Sequence, residues 1–171
     1  VWGGVSLVTI AILMSEWTGV IFIAYISVGR VLLLPGLMTG YYYDFFTKNP
    51  KVYMGDSTLS YLVDYPYSVQ PQYLIVAEYF DDPSVQANAN VWADGFAQFG
   101  FPGMIVLVAV LGIVLWLYDS VSRNTDTIFA AVLLGIPSFT LANNPIETSL
   151  LTHGIGLLLL IVYLTPFDNV D

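Results

Sequence analysis

Cysteine is absent from the 171 residues, which excludes disulfides, thiolate nucleophiles and cysteine-bound metals. A single histidine, His153, excludes a zinc centre built on several imidazoles. Positive charge is nearly as scarce. Four Lys and Arg against thirteen Asp and Glu leave a formal net charge of -9, which argues against nucleic acid or anionic lipid as a partner. Charge of either sign is low, with 10% of residues charged, 57% apolar and a mean hydropathy of +0.73. A soluble domain carries about a quarter charged residues, so this chain has too few to cover a water-facing surface. The composition is that of a membrane protein, or of the membrane part of one.

Gly-rich phosphate loops, Ser-His-Asp arrangements and metal-ligand spacings are also missing. No metal and no cofactor is expected. The chain begins at Val1 in apolar sequence, with no basic region or cleavage site before it, and so reads as the C-terminal portion of a longer polytopic protein.

Apolar runs long enough to cross a bilayer need about 20 residues. The expected fold is all-α, with about four to five transmembrane helices and one large extracytoplasmic loop. Residues 1–40 hold two membrane helices, divided at Glu16 so that this acid sits beside Trp17 at an interface, in preference to one helix over 5–26 with a new element beginning near Arg30. The second, over 17–40, carries Arg30 and should kink at Pro35-Gly36. Residues 101–171 hold three more, over 101–118, 128–142 and 150–165, and a short acidic tail. Between these blocks, residues 41–100 contain seven of the acids and nine of the twelve tyrosines, which marks a water-facing loop. Pro83-Ser84 predicts an amphipathic helix over 84–99. Arg123 in the loop at 119–127 places that loop in the cytoplasm and residues 41–100 outside.

Four groups of residues could carry chemistry. Arg30, within a span, costs roughly 2.5–3.5 kcal/mol to insert, and its fork suits a phosphate or pyrophosphate; the alternative is an arginine reaching the interface or paired with Glu147. His153 lies one to two turns beyond Glu147, so a base and its orienting carboxylate could open on one outer cavity; a histidine bonded between helices is the simpler reading. Asn88, Asn90 and Asp94 offer amides and a carboxylate to sugar hydroxyls beside Trp92, although aromatic residues at headgroup level explain that tryptophan equally. Tyr42, within Tyr41-Tyr42-Tyr43, invites the same interfacial reading.

Three stretches together resemble a known family. Arg-Val-Leu-Leu-Leu-Pro-Gly-Leu-Met-Thr-Gly-Tyr-Tyr-Tyr-Asp-Phe-Phe at 30–46, Asn-Ala-Asn-Val-Trp-Ala-Asp-Gly-Phe-Ala-Gln-Phe-Gly at 88–100 and Pro-Ile-Glu-Thr-Ser-Leu-Leu-Thr-His-Gly at 145–154 resemble segments of Wzy-type O-antigen, or oligosaccharide repeat unit, polymerases. The resemblance implies a multi-pass enzyme of the bacterial inner membrane, acting in lipopolysaccharide biosynthesis. Its substrates would be undecaprenyl-pyrophosphate-linked glycans, joined at the periplasmic face without a metal. Other membrane proteins of polysaccharide export would be its partners. The chain is shorter than that family's members, and arginines elsewhere in the family pattern have no counterpart here.

Glycosyl transfer from a pyrophosphate needs a stabiliser for the leaving diphosphate, a base for the acceptor hydroxyl and a groove for sugars. Arg30 would be the first, His153 or Asp94 the second, and Asn88, Asn90, Trp92, Glu147 and Tyr42 the third. A secondary transporter or lipid-linked oligosaccharide flippase would also place Arg30 and Glu147 in the membrane. A non-catalytic membrane subunit is the other class left open.

Overall fold

The computed structural model describes residues 33–165 except 58, 59, 83 and 124, together with the isolated positions 9, 10, 13, 16 and 29. Arg30 and most of the first expected helices therefore lie outside the described residues. Among the described residues the regular structure is helical, with no strand.

Helix α1 spans Leu34–Lys48. Pro35 sits in its first turn, where a missing N–H is not needed. The helix does not end near Gly40 as expected. Met38, Tyr42, Phe45 and Phe46 recur at i, i+4, i+7 and i+8, and burying that stripe carries the helix through the tyrosine run. Helix α2 (Pro71–Tyr79) again starts on a proline.

Helix α3 (Val91–Phe99) is shorter than the helix expected over 84–99. The reason is Asn90. Its Oδ1 accepts from the N–H groups of Trp92 and Ala93, both at 3.0 Å, which makes it the N-cap and ends the helix there. Residues 85–90 run non-helically beside α1, with Ala87 and Ala89 buried. The carbonyl of Ala87 takes the Tyr42 hydroxyl at 2.8 Å, and the Asn90 amide donates to Pro35 O at 2.9 Å.

Helix α4 covers Phe101–Ser122, 22 residues or about 33 Å, and so exceeds the expected 101–118. Helix α5 (Thr127–Leu141) is capped by Asp126 and contains Pro137. The last apolar run is divided into α6 (Ile146–Leu151) and α7 (Ile155–Leu164). The break falls at Thr152-His153-Gly154, where Gly154 takes φ 89°, a left-handed conformation suited to glycine. Among the described residues two stretches are long and apolar enough to cross a membrane, α4 and Ile146–Leu164 taken across the break; α5 is shorter.

Two apolar clusters hold these pieces. One joins α1, α2 and α3 through Tyr42, Phe46, Val52, Ile75, Ala93 and Phe96. The other joins the far ends of α4 and α7 to the start of α5 through Tyr118, Ala130, Leu158 and Val162. Between α3 and α4 the chain reverses at Gly100 (φ 69°), and the helices lie against each other at two glycines. A Cβ on Gly95 would stand 2.7 Å from Met104 Cα, and one on Gly103 would overlap the Gly95 carbonyl.

This close approach makes a direct prediction. Gly103→Ala should lower stability by about 1–3 kcal/mol through overpacking. Gly112→Ala, also within α4 but facing open space, should be neutral or gain about 0.5–1 kcal/mol. Thermal unfolding of the purified full chain reads both; equal effects would remove the proposed contact.

Candidate functional site

Where the first cluster meets the ends of the two bilayer-length stretches, the described chain leaves two adjoining cavities, of about 130 and about 110 Å³. They share Asp56, Asp94, Pro145 and Thr148. The larger is completed by Tyr42, Gln70, Pro71, Gln72 and Ala89; the smaller also reaches Met54, Gln98, Leu107 and Glu147. Every segment that approaches therefore contributes: α1, the loop after it, α2, α3, the second turn of α4 and the start of α6.

The geometry of α3 sets the chemistry. Asp94 and Gln98 are four residues apart and share a face. Gln98 Nε2 donates to Asp94 Oδ1 at 3.1 Å and to Asp56 Oδ1 at 3.0 Å, so one amide bridges two carboxylates. Its Oε1 accepts from the Met54 N–H at 2.6 Å. That bond helps hold Tyr53 and Met54 at φ 52° and 66°, a conformation that side chains adopt at a cost of order 1–3 kcal/mol. The strained turn delivers Asp56 to the cavity.

Burial pushes the Asp94 carboxyl up to about 6, against an ordinary value of 3.8. The Gln98 bond opposes that rise, and the neighbouring Asp56 and Glu147 reinforce it. Asp56 is raised as well, again chiefly by burial. Tyr42, almost fully buried, is held in its neutral phenol form by burial and by Asp94 and Asp56. The cavity thus offers a carboxyl that changes charge just below neutral pH, beside amides and hydroxyls that could hold a polyhydroxylated ligand.

The expected site residues separate into groups. Asp94, Tyr42 and Glu147 are brought together here. Asn90 is 5% exposed, and its Oδ1 and amide are engaged by α3, Thr39 and Pro35, so it positions the helix and offers no free group to a glycan. Trp92 is half exposed and Asn88 half buried, and neither lines the two cavities. His153 does not line them either; it lies in the break after α6, with Nδ1 buried and unpartnered. Arg30 lies outside the described residues. Asp56, Gln98, Thr148 and Gln72 were not anticipated. The i, i+4 spacing from Asp94 marks Gln98, whereas Asp56 arrives through a loop that leaves no periodic signal.

Among the described residues no group of three or more His, Asp or Glu is placed to hold a metal ion. No protein-family model matches this chain, and neither a curated protein nor a solved structure matches it.

The raised carboxyls bear on stability. Between about pH 4 and 6 the folded chain binds protons at Asp94 that the unfolded chain has released, so stability falls as pH rises through that window. For Asp94 the change is of order 3 kcal/mol, and it flattens above the window. Melting temperature against pH should show this decline in the parent. Asp94→Asn should remove most of it; an unchanged slope would mean that Asp94 is solvated.

Proposed function

We propose that this chain is part of a polytopic enzyme of the bacterial inner membrane that joins undecaprenyl-pyrophosphate-linked glycan units at the outer face. The observation that carries this reading is the position of the polar cavity. It lies at the shared end of two bilayer-length apolar stretches, with Leu107, about 9 Å along α4 from Phe101, in its wall. A sugar-pyrophosphate headgroup on a lipid carrier occupies that depth, where the chain presents a carboxyl, amides and hydroxyls.

In this mechanism Asp94 is the base. Its carboxylate takes the proton of an acceptor sugar hydroxyl, whose oxygen bonds to the anomeric carbon of the donor unit. The bond from that carbon to the pyrophosphate breaks, and undecaprenyl pyrophosphate leaves with the electron pair. A group titrating near 6 is suited to this task, being ionised at neutral pH and still basic enough to accept a proton. Asp56, Asp94 and Glu147 would repel a diphosphate, so the leaving group must lie away from them, and Arg30 is the cation assigned to it. Gln72 and Thr148 would contact sugar hydroxyls. Asn90 and His153 have no direct part.

A second reading, a transporter or flippase for the same lipid-linked glycan, is favoured by the break at Thr152-His153-Gly154. Discontinuous helices of this kind line substrate paths in secondary transporters. It predicts flux that follows an ion gradient.

The test is a glycan ladder from the full-length protein in a host lacking its own polymerase. The unaltered protein should restore the ladder. Asp94→Asn and Arg30→Ala should reduce it to single units at equal membrane abundance, and His153→Ala should retain it. Full-length ladders from Asp94→Asn, or gradient-dependent flux without polymer, would overturn the enzymatic reading.

A further inference from the structure

The register of α3 against α4 carries a consequence for the bilayer. Gly95 lies against Gly103 and Met104. Trp92, almost one turn further from the reversal at Gly100, then lies level with Val106 and Leu107, about 9 Å below Phe101 along the α4 axis. The start of α1 is at the same level, because Asn90 is bonded to Pro35 and Thr39. The lower ends of α1 and α3 thus sit beside a part of α4 that any crossing of the membrane would bury.

We propose that residues 85–99 form a re-entrant element, an extended descent followed by the rising α3, and that its lower end contacts lipid acyl chains through Trp92. The proposal rests on α4 crossing the bilayer, as in the reading above. Three observations support it. Leu37, Trp92, Ile105 and Val106 are all about half exposed or more, and they continue the exposed apolar surface of α4. The lipid-facing segments carry no charge at the lower end: residues 33–43, 85–93 and 101–118 contain no Asp, Glu, Lys or Arg, Asp94 lines the cavity, and Asp44, Lys48 and Lys51 stand near the reversal. Lys51 Nζ lies 3.7 Å from the centre of the Phe96 ring.

The third observation is the treatment of the backbone. Non-helical chain at membrane depth persists only where protein buries it or a polar cavity receives it. Ala87 is fully buried with its carbonyl bonded to Tyr42, Ala89 faces the cavity, and Asn90 satisfies the N–H groups of Trp92 and Ala93 from a buried position. Here the descent brings a polar cavity wall below the headgroup level, where a lipid-linked substrate could enter from the side.

The cysteine-free chain suits site-directed spin labelling. Single cysteines at Trp92→Cys, Leu37→Cys, Ile113→Cys and Tyr61→Cys in the full chain, reconstituted in phospholipid bilayers, would each carry a nitroxide. Collisions with oxygen, which concentrates in acyl chains, are compared with collisions with a water-soluble nickel chelate. Labels at 92 and 37 should match the one at 113 in α4, with an oxygen-to-nickel ratio several-fold above that at 61 on the exposed loop. Nickel access at 92 and 37 with oxygen preference at 113 would overturn the re-entrant element and leave the span intact. Nickel access at 113 would overturn both. Protection of 92 and 37 from both reagents would overturn the lipid contact, because protein would then cover that face. The label at 37 keeps the test open if Trp92→Cys fails to fold.

Discussion

The side chain of Asn90 is the point on which the described structure turns. One oxygen caps α3 and one amide grips the first turn of α1, so the start of one helix is tied to the start of another. A bonded group of this kind, buried from water, is costly to remove, because its partners are left unsatisfied. With that end held, the rest of α3 has little freedom. Gly95 must meet Gly103, Ala93 and Phe96 enter the apolar cluster, and the opposite face carries Asp94 and Gln98 toward the loop at Met54 and Asp56.

Electrostatics then follows from packing. Two carboxylates share one amide, with a third acid in the cavity wall, and burial is the largest influence on Asp94 and Asp56. The arrangement holds a proton more readily than an isolated carboxylate and disfavours a second negative charge. Such a site is suited to polyhydroxylated ligands and to proton transfer, and it requires that any phosphate group be held by a cation elsewhere. The structural and functional proposals thus depend on one feature, a polar cavity sunk between the cluster of α1, α2 and α3 and the ends of apolar helices.

Much of the helical layout was legible in the sequence. The apolar runs at 101–118 and 128–142 mark α4 and α5 to within about a turn, because each is continuously apolar, and Pro137 does not end α5. Helix α4 continues past Tyr118 through Asp119 and Ser120 because Val121 packs on the lower cluster, a tertiary contact without a local signal. The expected helix from Ser84 was misplaced by reading Pro83-Ser84 as the start; Asn90, a strong N-cap residue, overrides it. The final break falls where Thr152-His153-Gly154 interrupts the apolar run, and the positive φ of Gly154 turns that interruption into a separation of two helices. In the site, Asp94, Glu147 and Tyr42 could be named from residue type alone. Asp56 could not, since a strained turn and a distant glutamine bring it in.

The central claim is that the cavity beside Asp94 receives a lipid-linked glycan. The most direct measurement places a photoreactive benzophenone amino acid at Gln72, on the cavity wall, in the full-length protein within bilayers containing undecaprenyl-pyrophosphate-linked repeat units. Illumination should add the mass of the lipid-linked unit, and excess unlabelled unit should suppress that adduct. Adducts to phospholipid or protein alone, with an equally illuminated probe, would contradict the account.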